Sequence, residues 1–128
     1  MKKVFILLLL VIFTGVGTFI IIRNNHHDVK GFELNDYQYY LDNFSSKENV
    51  GSIIDTKDAM KKAEAVWISL YGIEVKKEKP YQVFYDEYND IWLIQGSFKS
   101  LFGNSKGGVA NILIENKDGQ VLAVWHEK

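Results

Sequence analysis

The groups best suited to acid, base or metal chemistry in this 128-residue chain are three histidines and a few clustered carboxylates; there is no cysteine. His126 lies in a run of alternating character. Period two puts it on one face with Leu122 and Val124, which pair naturally with Ala110, Ile112 and Ile114, so its imidazole is expected to point inward. A catalytic base needs a carboxylate to orient it or a nucleophile to activate, and the spacing supplies neither. His126 therefore reads as a hydrogen-bonded structural histidine. His26-His27 invites a metal, yet neighbours on a polar stretch do not turn both nitrogens to one ion unless other ligands converge. Neither His-Glu-x-x-His nor Asp-x-Asp-x-Asp-Gly occurs. No catalytic residue, metal site or cofactor is assigned. Asp86, Glu87 and Asp90 gather around a turn, where the ordinary reading is solvation and the functional one is contact with a basic partner. Gly107-Gly108 precedes a strand and not a helix, which suits a bulge better than a phosphate-cradling loop.

The elements that must position these groups follow from periodicity. From Thr56 to Tyr71, Ala59, Met60, Ala63, Val66, Trp67, Leu70 and Tyr71 form a broad apolar helical face opposite Lys57, Lys61 and Glu64. Asp55 can cap that helix, Asp58 favours its positive end, and Gly72 can terminate it. Beyond Gly72 the period becomes two. Tyr81 to Tyr88 and Ile91 to Phe98 read as strands joined at Asn89-Asp90, and Val109 to Glu115 and Gln120 to His126 as a hairpin turned at Asp118-Gly119. Val75 to Lys77 is a candidate edge strand, and residues 99–108 read as a glycine- and serine-rich loop. Tyr37, Tyr40, Leu41 and Phe44 are spaced for a short amphipathic helix. The fold class is α+β, a helix packed on an antiparallel sheet. Val109, Leu113, Val121, Ala123 and Trp125 alternate with the inward set of the last hairpin, and a face that water covers should be polar. Either the Tyr37–Phe44 helix covers it or a partner does. On the second alternative Trp125, Leu113 and Val121 are partner-binding candidates, beside Asp86, Glu87 and Asp90.

The composition, 47% hydrophobic and 24% charged with one proline, is that of a folded chain. The formal charge of -1 becomes -4 once Lys2, Lys3 and Arg23 at the N-terminus are set aside, which disfavours nucleic acid as a partner. Val4 to Ile22 is a run of apolar and small residues, long enough as a helix to span a hydrocarbon core of about 30 Å. It ends in Phe-Ile-Ile-Ile-Arg with no Ala-x-Ala nearby, which favours an uncleaved anchor over a secretion signal removed on export. Lys2 and Lys3 outweigh Arg23, so the expected topology is a single pass with the domain on the extracytoplasmic side of the cell membrane. Residues 1–23 are the anchor, 24–50 a tether with a possible short helix, and 51–128 the domain.

That domain resembles the NTF2-fold immunity proteins that accompany bacterial polymorphic toxins. The likeness runs through Gly51-Ser-Ile-Ile-Asp-Thr-Lys-Asp-Ala59, Ala63-Glu-Ala-Val-Trp-Ile-Ser-Leu-Tyr-Gly72, Glu78-Lys-Pro-Tyr81, Trp92-Leu-Ile-Gln-Gly96 and Lys106-Gly-Gly-Val-Ala110, then Lys117-Asp-Gly119 and His126. The resemblance implies a strongly curved sheet with helices in its concavity, and a task of binding and neutralising a cognate toxin; the residues supply no convergent nucleophile–base or metal-ligand set, so neither catalysis nor a small-molecule substrate is expected. Two other classes compete. One is a small NTF2-like enzyme, which requires an Asp or Glu beside a His or Tyr in the cone. The other is an envelope inhibitor or regulator resembling PepSY domains, which also join a helix to a strand-Asp-Gly-strand unit.

Overall fold

The computed structural model describes residues 29–98 and 108–127. Among these no helix is long and apolar enough to cross a membrane. The anchor assigned to Val4–Ile22, the His26-His27 pair and Gly107 lie outside the described residues.

A 3-10 turn, Leu34–Tyr37, leads into α1, Gln38–Asn43. The main helix, α2, spans Thr56–Tyr71, the range its apolar periodicity predicts. Its start is fixed reciprocally. The Asp55 carboxylate accepts from the Asp58 N–H at 2.7 Å, and the Asp58 carboxylate accepts from the Ile54 N–H at 3.0 Å. Gly72, at φ 88°, closes the other end by donating its N–H to the Ile68 carbonyl at 2.9 Å. Ala59, Ala63, Val66 and Trp67 are buried.

The edge strand expected at Val75–Lys77 is instead part of a 3-10 helix, Ile73–Glu78. Val75 is its one buried residue, and the polar run after it offers no second apolar position to hold a strand on the sheet.

Four strands follow: β1 Gln82–Asp86, β2 Ile91–Gln95, β3 Ala110–Glu115 and β4 Val121–His126. They form an antiparallel meander in the order β1-β2-β3-β4. β1 and β2 are shorter than their alternation suggests, and their turn, Asp86 to Ile91, includes Asp90 at φ 60°. The β3–β4 turn needs Gly119 at φ 73°, and a Cβ there would collide with the Gly51 backbone.

Two apolar layers sandwich the sheet. On one face Trp92, Ile94, Ile112 and Ile114 pack with α2 through Ala63, Val66 and Trp67. On the other, Leu93, Leu113, Ala123 and Trp125 lie beneath Phe32, Leu34, Tyr37, Tyr40 and Leu41. This explains why β2 and β3 are buried almost without alternation. Phe32 to Leu41 thus belong to the packed fold and do not hang as a tether.

The hairpin carries a correction of phase. Ile112 pairs with Val124 and Leu113 with Ala123, but Ile114 pairs with Val121, because a bulge between Leu113 and Ile114 leaves Leu122 unmatched. Val121 therefore enters the α2-side core, and Leu122 packs on the α1 side. Both faces are the reverse of what strict alternation predicts.

The two sheet edges differ. Along β4, Val124 donates its N–H to the Phe44 carbonyl at 3.2 Å and Val121 to the Glu48 carbonyl at 2.9 Å, with a further bridge between Asn49 and Gln120. Along β1, the Tyr85 N–H donates to the Lys30 carbonyl at 2.9 Å.

Candidate functional site

The residues proposed from sequence as a partner surface are not brought together. Trp125 is 3% exposed, and Leu113 and Val121 are fully buried. The cover is internal: the Tyr40 ring stacks on Trp125 at 4.0 Å with the planes 10° apart, and Tyr37 adds a tilted contact at 6.0 Å. The acidic turn lies at the other end of the sheet. Asp86 shares a register row with Ile91 and Glu115, whereas Trp125 is in the row of Gln95 and Asn111. Two of its three carboxylates shape the turn. Asp86 accepts from the Tyr88 N–H at 3.1 Å and the Asn89 side chain at 2.6 Å, and Asp90 accepts from the Tyr85 hydroxyl. Burial and that bond to Asp90 push the Tyr85 phenol above its ordinary range. Glu87 is exposed.

His126 is exposed, in contrast to the inward orientation expected, and it has the carboxylate partner that linear spacing does not reveal. Its Nε2 is 3.3 Å from Glu78 Oε2, and its ring meets the edge of Tyr71 at 5.3 Å between centroids. The other Glu78 oxygen, Oε1, accepts from the Ala110 N–H at 2.7 Å. Burial, with Glu78 nearby, raises the Tyr71 phenol. This acid–histidine pair ties the 3-10 helix to both strands of the last hairpin, so a structural role accounts for its geometry. Gly108 is held close to Glu127, since a Cβ on it would meet the Glu127 carbonyl. Among the described residues no three His, Cys, Asp or Glu gather as a metal site.

Among the described residues a concavity lies elsewhere, where α2 passes the start of β1. A groove of about 560 Å³ is lined by Met60, Pro80 and Tyr81 together with Lys57, Lys61, Glu64 and Lys79. The helix contributes Lys57, Met60, Lys61 and Glu64 from one face at i, i+3, i+4, i+7, so Met60 sits among the charged residues and not on the apolar face opposite them where periodicity put it. Tyr81 connects the groove to the core: its ring meets Trp67 edge-on at 5.1 Å, and its hydroxyl donates to Glu64 Oε2 at 2.7 Å. Lys79 pairs with the same oxygen at 3.1 Å. The Tyr81 hydrogen bond, helped by Lys79, holds the Glu64 carboxyl below its ordinary value, while burial and Glu64 push the Tyr81 phenol well above its own. Glu64 is thus kept ionised and already engaged by Tyr81 and Lys79. Lys57 and Lys61 make no ion pair among the described residues, and the lining is net positive. A second groove of about 600 Å³ shares Met60 and Tyr81 and continues past Val83 to Val29 and Lys30. Among the described residues of the two grooves, no nucleophile is paired with a base that activates it.

One of the comparisons bears on the role. The sequence model of the NTF2 fold immunity protein family matches residues 58–128, from the first turn of α2 through the whole sheet, and the chain belongs to that family. The helix on a four-stranded antiparallel sheet is consistent with the NTF2-like α+β fold. No curated protein and no solved structure matches the chain. Membership suggests toxin immunity, with a toxin as partner and a binding role in place of catalysis.

Proposed function

We propose that this protein binds a cognate bacterial toxin at the outer face of the cell membrane and neutralises it by steric occlusion. The observation that carries the reading is the family match over residues 58–128, since an immunity domain acts by holding its toxin. The membrane part rests on the N-terminal sequence. Val4–Ile22 is long enough to anchor the chain, and Lys2 and Lys3 favour keeping the N-terminus in the cytoplasm. Anchoring confines the domain to the surface an incoming toxin must cross, which raises its local concentration there.

The test pairs the full chain with the toxin encoded beside its gene. Cells expressing the chain should survive toxin delivered from outside, and the purified full chain in detergent should form a complex with the toxin and show no hydrolase or isomerase turnover. Death of cells that accumulate the full chain would remove the immunity reading. Protease added to intact protoplasts should digest the domain; full protection reverses the topology.

A further inference from the structure

Among the described residues the two edges of the sheet are not equivalent, and β1 is the less covered one. The Tyr85 N–H donates away from β2, to Lys30. In an antiparallel ladder outward-facing groups recur every second residue, so the N–H and C=O of Val83 also point away from β2. Val83 has no backbone partner among the described residues. β4, by contrast, is covered from Phe44 to Asn49. An unpaired strand edge is a template for another extended chain. The Lys30 carbonyl shows that a backbone group reaches hydrogen-bonding distance on this side, with Val29 packed against the core.

What flanks that edge defines its occupant. The groove beside Val83 is lined by Met60 and Tyr81 and continues into the stretch lined by Lys57 and Lys61. Both lysines are exposed and make no ion pair among the described residues, and Glu64 is already held by Tyr81 and Lys79. An added strand would find backbone partners at Val83, apolar contact along Met60, and lysines outside any ion pair at one end. We infer that the β1 edge takes up an extended, acidic segment of the toxin by strand addition, with backbone hydrogen bonds at Val83 and carboxylates set against Lys57 and Lys61. This inference rests on the immunity reading for the identity of the partner, and on the edge and the lysines for its chemistry.

The experiment uses the full chain in detergent micelles and a fluorescein-labelled peptide of alternating glutamate and valine, with an alternating lysine and valine peptide as control. Anisotropy should show binding of the acidic peptide only. Val83→Pro removes the outward N–H without touching the β2 ladder, and Lys57→Glu with Lys61→Glu reverses the charge there. Each should weaken the acidic peptide by roughly tenfold or more, and each should weaken toxin binding in parallel. The lysine pair lies on the exposed helix surface, so it decides the matter should Val83→Pro lower folding stability. Equal binding of both peptides, no binding of the acidic one, or full affinity in the lysine variant overturns the inference. Protection of cells by the wild-type chain is scored separately. Protection that survives both sets of substitutions removes strand addition and leaves immunity standing, whereas acidic-peptide binding without protection removes immunity and leaves the groove.

Discussion

Tyr40 and Trp125 stack face to face, 4.0 Å apart between centroids, although 85 positions of sequence separate the six-residue helix α1 from the last strand. That contact closes the second apolar layer and makes Trp125 a core residue. Truncating Trp125 to Ala should cost about 3 to 5 kcal/mol of folding stability, as for other buried large aromatics, measured by urea titration. The Trp125 indole N–H is buried without a hydrogen-bond partner among the described residues. Trp125→Phe keeps a ring beneath Tyr40 and removes that unpaired donor, so it should cost far less than the alanine variant. Tyr40→Ala should leave α2 intact and shift part of the tryptophan emission to the red as Trp125 meets water.

The cap of α2 offers a local test. Asp55 accepts from the Asp58 N–H, and Asp58 accepts in turn from Ile54 and from Lys62 at 2.9 Å. Asp55→Ala should destabilise the fold by about 1 kcal/mol, and Asp55→Ser should recover most of it, because a serine hydroxyl also caps. Thermal midpoints of the two variants check the order.

These elements show what the sequence made legible. α2 was readable end to end because its cap, its stop at Gly72 and its apolar face are all local. The four strands were readable from alternation and turn residues, but a fifth candidate at Val75–Lys77 is a 3-10 helix, and the order of the strands in the sheet was not readable. Neither was the phase of Val121 and Leu122, because a bulge shifts the inside–outside pattern by one residue and both residues are apolar. Nor was the cover on Trp125 decided, since a partner or α1 can bury the same face. The Glu78–His126 pair and the Glu64–Tyr81 pair that lines the groove are 48 and 17 positions apart. Only the path from α2 through the 3-10 helix to β1, where a strand had been expected, brings them together.

Gly96 and Glu78 supply a prediction about that path. A Cβ at Gly96 would collide with the Glu78 side chain, which is held by the Ala110 N–H and by His126. Gly96→Ala should therefore destabilise the protein by about 1 to 3 kcal/mol, the range for overpacking. Glu78→Ala leaves the buried Ala110 N–H without its acceptor and should cost about 1 to 3 kcal/mol, whereas Glu78→Gln keeps an acceptor and should cost less. His126→Ala should be mild, since its exposed ring supports Glu78 only from outside. Urea midpoints for the four variants give the ranking.

The tyrosine and carboxylate network sets both limits of pH stability. Glu64, through the Tyr81 hydroxyl, and Asp58, through Lys62 and the Ile54 N–H acting against its burial, are held below their ordinary values of 4.5 and 3.8. As pH falls through those values the unfolded chain takes up protons before the folded one, so stability declines and their contribution is gone below the folded values. At the other limit, burial raises Tyr37, Tyr71, Tyr81 and Tyr85 above 10.0, with hydrogen bonds to Glu64 and Asp90 adding to it at Tyr81 and Tyr85. Above about pH 10 the unfolded chain loses phenolic protons that the folded one keeps, and stability falls again as pH rises. Thermal midpoints should thus form a plateau near neutrality with a loss on each side. Tyr81→Phe should flatten both limbs, because it removes a raised phenol and the donor that lowers Glu64. Tyr85→Phe should flatten the alkaline limb alone. An acid limb unchanged by Tyr81→Phe would mean that Lys79, without the hydroxyl, holds Glu64 ionised at the groove.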